Sequence, residues 1–314
     1  MKVLAVDFGG SHATCGLVAD KQLLDHEEIP LQKTSNLAAV LPAVRDSLER
    51  LLQRNNLAAA ECAGIAMGLP SLVDARTTRV LSTRSKYTDA EGIDLLRWSG
   101  EAFGIPVRVE NDARMALLGE SYAGAAAGCS NIVMMTLGTG IGGAVMIEGT
   151  LLRGKHSQAG NLGGHLMVLI GGRKCIVCGA EGCAEAEAAG WSLPLVAQGW
   201  PGISESALAP LAETLNFQQL FEAGDRGDRV AVEIRDRCLN VWGAAMLSLV
   251  HAYDPEVAVI GGGVVNRKDT IVPFIQKYLD EHGWTPWGQV QVKAAELKNN
   301  AALLGAVPLF QEKF

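Results

Sequence analysis

Nowhere in this sequence do eighteen apolar residues run together, so no membrane-spanning helix is expected. Aromatic residues are scarce at 5% and prolines number only 11, while 48% of the chain is hydrophobic and 19% charged. That mix excludes the disordered, proline-rich and fibrous classes and leaves a globular one. Positive charge is in deficit: 27 Lys and Arg stand against 34 Asp and Glu, a net charge of −7 with no strongly basic run to offset it. Affinity for nucleic acid draws largely on phosphate neutralisation by those cations, so no nucleic-acid partner is expected. The opening "MKVLAVDFGG" holds only four apolar residues before an acid, too few for the apolar region of an export signal. A cytoplasmic location is the expectation, and there the seven cysteines should be thiols rather than disulfides. A chain of 314 residues suits two domains.

What is present is rich in glycine turns. Residues 3–6 form an apolar run that enters "DFGGSH" and resumes as "ATCGLVAD", which reads as a hairpin whose glycines allow positive φ. The pattern returns far downstream. Placing Ile132 beside Val3 aligns "IVMMTLGTGIGGAV" with "VLAVDFGGSHATCG" at a constant offset of 129, the spacing of two copies of one domain. Between them, Leu37, Val40, Leu41, Val44, Leu48, Leu51 and Leu52 share one face at helical spacing after Ser35 or Asn36 as a cap, with Pro42 blurring the start. "IPVRVENDARMALLGE" reads as a strand passing through Asn111 and Asp112 into a helix. "CLNVWGAAMLSLVHAYDPEVAVIGGGVV" reads as a helix, an Asp-Pro stop, a strand and a triple-glycine loop. Alternating strands and helices make the class α/β.

Glycine turns let backbone N–H groups approach phosphate oxygens. "DFGGS" adds an aspartate suited to hydrated Mg²⁺, and "GTGIGG" adds a hydroxyl at Thr139. With "IGGG" they suit a nucleotide in a cleft between lobes. A dinucleotide fold is excluded, because "GTGIGG" is followed by a strand rather than a helix. Asp112, at a strand end, has the ordinary reading of a helix N-cap and the functional one of a base for a hydroxyl attacking ATP. One side chain does both only if its oxygens divide the work. His165, Cys175, Cys178 and Cys183 lie among glycines as one imidazole and three thiols, matching a closed tetrahedral zinc site. A redox pair at Cys175 and Cys178 leaves the other two residues unexplained. The four remaining cysteines read as small buried hydrophobes.

In this order, "DFGGSH", "GLP", "ENDA", "GTGIGG", "GGH", the Cys-rich loop ending in "GCAE", "IGGG" and "NNAALLGA" resemble the ROK family of sugar kinases and regulators, and the likeness covers nearly the whole chain. The resemblance implies a two-lobe actin-like ATPase (ribonuclease H-like) fold with a cleft between lobes. Residues 1–116 and 300–314 would form the smaller lobe, and 117–299, with the zinc loop, the larger. It implies ATP-dependent phosphorylation of a hexose, usually at the 6-hydroxyl, with Asp112 as general base. Gly68, Asn111, Asp112, Asn161, His165 and Glu185 would meet the sugar. Asp7, Gly9, Gly10 and Ser11 would face phosphates and Mg²⁺ from one lobe, and Gly138, Thr139, Gly140 and Gly262 from the other. His165, Cys175, Cys178 and Cys183 would hold structural Zn²⁺, and the assembly would be a homo-oligomer, a dimer.

Three departures from the family pattern stand out. Where the family has Gly-Glu-x-Gly-His, "AGNLGGH" reads with Asn161 near the glutamate's place and one extra glycine, so a sugar-binding carboxylate is replaced by an amide. Two residues rather than one separate Cys175 from Cys178. "STRSKYTDAEGIDLL" lacks a Pro-Asn pair, and Ser71 stands where glycine is common. An N-acetylhexosamine or a rarer hexose is therefore an alternative to glucose, and a catalytically silent sugar-binding protein or regulator an alternative to the kinase. A DNA-reading repressor is disfavoured, since only six residues precede Asp7.

Overall fold

The computed structural model describes residues 1–32, 36–83 and 86–313. Ser35, named above as a cap, and Arg84 and Ser85 of the "STRSKYT" segment lie outside the described residues. The chain divides into two compact units: residues 1–130, 148–161 and 296–314 form the first, and residues 131–147 and 162–295 the second.

The first unit is built on a sheet of β1 (Lys2–Phe8), β2 (His12–Ala19), β3 (Gln22–Pro30), β4 (Ile65–Leu69) and, beyond a small ribbon of β5 (Leu72–Asp74) and β6 (Arg79–Ser82), β7 (Val107–Asn111). Its order is β3-β2-β1-β4-β7, with β1–β2–β3 antiparallel and β1, β4 and β7 parallel. β4 lies between β1 and β7 and all five of its residues are buried, as a strand covered on both faces requires. α1 (Leu37–Arg54) buries all seven positions of the predicted apolar face, plus Ser47, and runs through Pro42. Its N-cap is Asn36, but the side chain makes no cap bond; Asp89 instead accepts the N–H groups of Leu37 and Ala38 at 2.7 and 2.9 Å. After α2 (Leu95–Phe103), α3 (Asp112–Ala123) follows β7 directly. At its far end the buried Glu120 accepts N–H groups from Ala125, Glu296 and Leu297. This ties the chain's last helical stretch to the helix that begins with Asp112.

The second unit opens with β8 (Ile132–Leu137) and β9 (Ile141–Ile147), passes through α4 (Ala184–Ala188), α5 (Leu193–Gln198), α6 (Phe217–Asp225) and α7 (Arg229–Tyr253), and reaches β10 (Val257–Gly261), α8 (Lys268–His282) and β11 (Gln291–Ala294). These four strands run in the order β9-β8-β10-β11. That is an antiparallel hairpin followed by two parallel strands, the order of β2-β1-β4-β7. Val3 pairs with Val18, and Ile132 with Met146. The 129-residue offset thus holds along the first strand of each hairpin, and the second turn is one residue shorter. α7 ends at Asp254 in a left-handed conformation before Pro255, the stop expected from the Asp-Pro pair.

Candidate active site

Three parallel strands of the first unit end side by side. Asp7 pairs with Gly68, and Gly68 with Glu110, so Asp7, Gly68, Asn111 and Asp112 gather at the carboxyl edge of the sheet, where ligands of open α/β sheets bind. A side chain on Gly68 would stand 3.4 Å from Asp7 Oδ1 and 3.3 Å from Met115, so glycine leaves the carboxylate its space. The helix cap falls to Asn111, not Asp112. Asn111 ends the strand with extended backbone, and its Oδ1 accepts the N–H groups of Ala113 and Arg114 at 3.0 and 3.2 Å. Asp112 is the first helical residue. Its Oδ1 accepts the Ala113 N–H at 2.8 Å and the Asn111 amide at 2.9 Å, while its Oδ2 has no hydrogen bond among the described residues. Burial pushes Asp112 up to about 6, against the pull of the Ala113 N–H and the Asn111 amide. Burial, then the charge of Asp112, pushes Asp7 up to about 7.

Beneath this pair lies an ionic network that the sequence reading missed. Glu110 is fully buried and accepts from Asn111 N–H (2.9 Å), Arg153 Nε (2.7 Å) and Arg114 Nη1 (3.3 Å). The buried Arg114 also donates to the carbonyls of Leu152 and Ala159. The i, i+4 spacing of Glu110 and Arg114 was visible, but not the return of residues 148–161 to meet them.

The 9–11 turn closes β1–β2. Gly9 N–H donates to the His12 carbonyl at 3.0 Å, Tyr87 Oη donates to the Gly9 carbonyl at 3.2 Å, and Ser11 Oγ lies 3.1 Å from His12 Nδ1. The expectation of positive φ fails: neither glycine is left-handed. Space is the reason for glycine, since a Cβ on Gly9 would sit 2.9 Å from the His12 carbonyl oxygen and one on Gly10 3.2 Å from Lys86 Nζ. Lys86, whose ammonium overlies the turn, is a second residue that spacing alone did not reveal.

In the second unit the 138–140 turn is held from below. Gly190 N–H donates to the Gly138 carbonyl and Trp191 N–H to the Thr139 carbonyl, both at 2.9 Å. Glu185 of α4 accepts the Ile141 N–H through Oε2 at 2.9 Å and the Trp191 indole N–H through Oε1 at 3.2 Å. A Cβ on Gly140 would meet Glu185 Oε2 at 2.9 Å. Gly262, left-handed at φ +85, packs against Leu137 at the entrance of the same turn. Gly138, Thr139, Gly140, Gly262 and Glu185 are thereby brought together.

His165, Cys175, Cys178 and Cys183 also converge. His165 Nδ1 lies 3.9 Å from Cys175 Sγ and 3.8 Å from Cys183 Sγ, and Cys178 Sγ lies 3.9 Å from Cys183 Sγ; all four ligand atoms fall within 4.8 Å of one another. Ligands about 2.0–2.3 Å from a tetrahedral zinc stand roughly 3.5–3.8 Å apart, so the donor set fits that ion with little contraction. The Val177 and Cys178 N–H groups donate to Cys175 Sγ at 3.4 and 3.5 Å. All seven cysteines are free thiols; of the four read as small buried hydrophobes, Cys15, Cys62 and Cys238 are buried and Cys129 is only half-buried.

Asn161 does not join these groups by number. It belongs to the first unit, where its N–H donates to the Gln158 carbonyl, while His165 belongs to the second. Counting back from His165 through Gly164 and Gly163, Leu162 takes the glutamate's place and no glycine is extra, which corrects the reading of Asn161. Leu162 is exposed.

Comparison with known proteins agrees with this architecture. The model of the ROK family matches residues 3–313. The glucokinase of Thermotoga maritima is 30% identical over 320 aligned positions, covering 100% of this chain and 98% of that one. The crystal structure of a ROK hexokinase from Thermus thermophilus superposes with a TM-score of 0.80 at 32% identity, covering 98% of this chain and 97% of that one. A ROK family glucokinase from Streptomyces griseus, in complex with glucose and AMPPNP, gives 0.79 at 28% identity over 98% and 99% of the two chains. The fold is the two-lobe actin-like ATPase fold.

Proposed function

The chain belongs to the ROK family, and from that premise we propose that it is an ATP-dependent hexose kinase acting on the sugar's 6-hydroxyl with Asp112 as general base. The observation that carries this reading is the state of Asp112: one carboxylate oxygen is fixed by two hydrogen bonds, the other has none among the described residues, and burial raises the group to about 6, near working pH. Asp112 Oδ2 takes the hydroxyl proton as the sugar oxygen bonds to the terminal phosphorus and the bond to the ADP oxygen breaks. Asn111, itself pinned, presents Asp112 and contacts the sugar with Gly68 and Glu185. His165 turns Nδ1 toward the thiols, which leaves its other ring nitrogen for a sugar hydroxyl.

Backbone groups of Gly9, Gly10, Gly138, Thr139, Gly140 and Gly262, with Ser11, receive the phosphates. Mg²⁺ supplies charge neutralisation on the β- and γ-phosphates when bound, and Asp7, a half-buried carboxylate raised by burial, suits it. Zn²⁺ at His165, Cys175, Cys178 and Cys183 supplies structural bracing. The assembly proposed is a homodimer, which sedimentation velocity checks.

A second reading concerns the sugar. An exposed leucine in place of an acid removes a charge-assisted hydrogen bond worth roughly 1.5–3 kcal/mol, which favours an N-acetylhexosamine or a less common hexose over glucose. Coupled ADP release across a panel of hexoses and N-acetylhexosamines tests both readings. One sugar should stimulate turnover, and Asp112→Asn should abolish it. Sugar binding without turnover across the panel would make the chain a silent binder, and a fully active Asp112→Asn enzyme would remove the mechanism.

A further inference from the structure

We propose that Trp191 couples the four-ligand cluster to the 138–140 turn, so that metal occupancy of the cluster sets the affinity for nucleotide. The inference rests on the kinase reading, in which that turn receives phosphate, and it adds a residue that no motif pointed to. Trp191 touches both parties. Its ring packs on the buried group of Cys175, Cys183 and Ala186, two of which are ligand residues. Its backbone N–H donates to the Thr139 carbonyl, and its indole N–H donates to Glu185. Glu185 in turn holds the Ile141 N–H and lies two residues from Cys183.

The other end of α4 anchors the loop itself. Glu187, fully buried, accepts the Arg173 N–H at 2.5 Å and pairs with Arg237 of α7, whose Nη1 also donates to the Glu187 carbonyl. α4 is thus pinned to α7 and to the loop through Glu187, and to the turn through Glu185. The loop has little apolar support of its own: Met167, Leu169, Ile170 and Ile176 are exposed. A metal that draws four side chains together supplies the missing rigidity, as in small metal-dependent domains. Loss of the metal frees Cys175 and Cys183, the floor on which the Trp191 ring rests. The bonds from Trp191 and Glu185 to the turn then lose their fixed anchor. The turn's geometry, rather than its composition, is what metal loss degrades.

Calorimetric titration with a non-hydrolysable ATP analogue tests this on metal-loaded and chelator-stripped protein, wild type and Trp191→Phe, with zinc content and far-ultraviolet circular dichroism measured in parallel. Stripping wild type is expected to weaken analogue binding about tenfold. Metal-loaded Trp191→Phe, retaining one zinc per chain, should already bind about fivefold more weakly, and stripping it should add less than twofold, because coupled sites are not additive. Wild-type affinity in metal-loaded Trp191→Phe, or equal loss on stripping in both proteins, overturns the proposal. Should stripped protein lose its helical signal, the decision falls to metal-loaded Trp191→Phe and Glu185→Gln. Both must then weaken the analogue with zinc retained, and unchanged affinity in either overturns it. A metal-loaded wild type that binds no nucleotide sinks the kinase reading as well, whereas normal wild-type binding with unaffected variants sinks this inference alone.

Discussion

The two glycine turns close hairpins of the same topology, but their neighbours differ in kind. Around the 9–11 turn stand Asp7 and Asp112, both raised by burial, one of them with an oxygen that no group among the described residues engages, and the ammonium of Lys86. Under the 138–140 turn stands Glu185, a carboxylate with both oxygens bonded to N–H donors, and behind it a cluster of thiols. An unsatisfied buried carboxylate is costly to fold and useful to react; a satisfied one is neither. On the proposed mechanism the first unit would carry the reactive groups and the second the bracing. If that division holds, substitutions in the first should trade stability for turnover, and those in the second should not.

The largest expected effect breaks the first half of the comparison. Asp112→Asn should lower kcat by about 10²–10⁴-fold, the range for loss of a general base, while sugar affinity changes little. The same variant should be more stable than wild type above pH 7, because the amide has no charge to bury. A kcat within tenfold of wild type would show that Asp112 does not take the proton.

Next is the network below it. Glu110→Gln takes the counter-charge from the buried Arg114, while Arg153 keeps Glu312, and breaking a buried pair costs roughly 3–5 kcal/mol. Urea unfolding should show that loss. Turnover should fall too, since Glu110 also holds the Asn111 N–H. Unfolding at the wild-type midpoint would mean that Arg114 finds another partner.

A smaller effect sharpens the contrast through pH. Asp7 and Asp112 have folded values of about 7 and about 6, above the ordinary value of 3.8. Between pH 4 and 7 the folded state therefore binds more protons than the unfolded one, and stability falls as pH rises. The penalty is absent below about pH 4 and complete above about pH 7, at roughly 1–3 kcal/mol for each group after allowance for partial exposure. Thermal unfolding of Asp7→Asn without metal or nucleotide should show a flatter pH profile across that window. A profile unchanged from wild type would mean that Asp7 carries no such penalty.

Much of this contrast was legible in the sequence, for identifiable reasons. Strand, turn and strand recur at one offset, so the shared order of the two sheets was already implied. The metal cluster was legible because its ligands fall within nineteen residues of each other and glycines bring them together. The cap of α1 was not, because Asp89 supplies it from fifty-two residues away. Nor was the cap of α3, because Asn111 and Asp112 are equally good cap residues and only the strand's end decides between them. Turn glycines were read through φ, whereas the Gly9 and Gly140 positions are fixed by what stands beside them. Local pattern reports local geometry. It does not report a lysine or a tryptophan that arrives from another part of the chain.

Lys86 supplies the smallest and most discriminating test. Its ammonium stands near Gly10, where it would complement a phosphate if the 9–11 turn receives one as proposed, yet the side chain is half-buried, so water screens much of its charge. A screened contact of this kind contributes about 1 kcal/mol, or roughly a fivefold change. Lys86→Met should therefore raise the KM for ATP about fivefold, leave the sugar KM unchanged, and lose its difference from wild type as ionic strength rises. Lys86→Arg should restore most of the affinity, since charge rather than shape is at issue. A shift in the sugar KM instead would move Lys86 to the other substrate, and no shift in either would leave the first turn with backbone groups and a hydroxyl but no cation, as the second turn has.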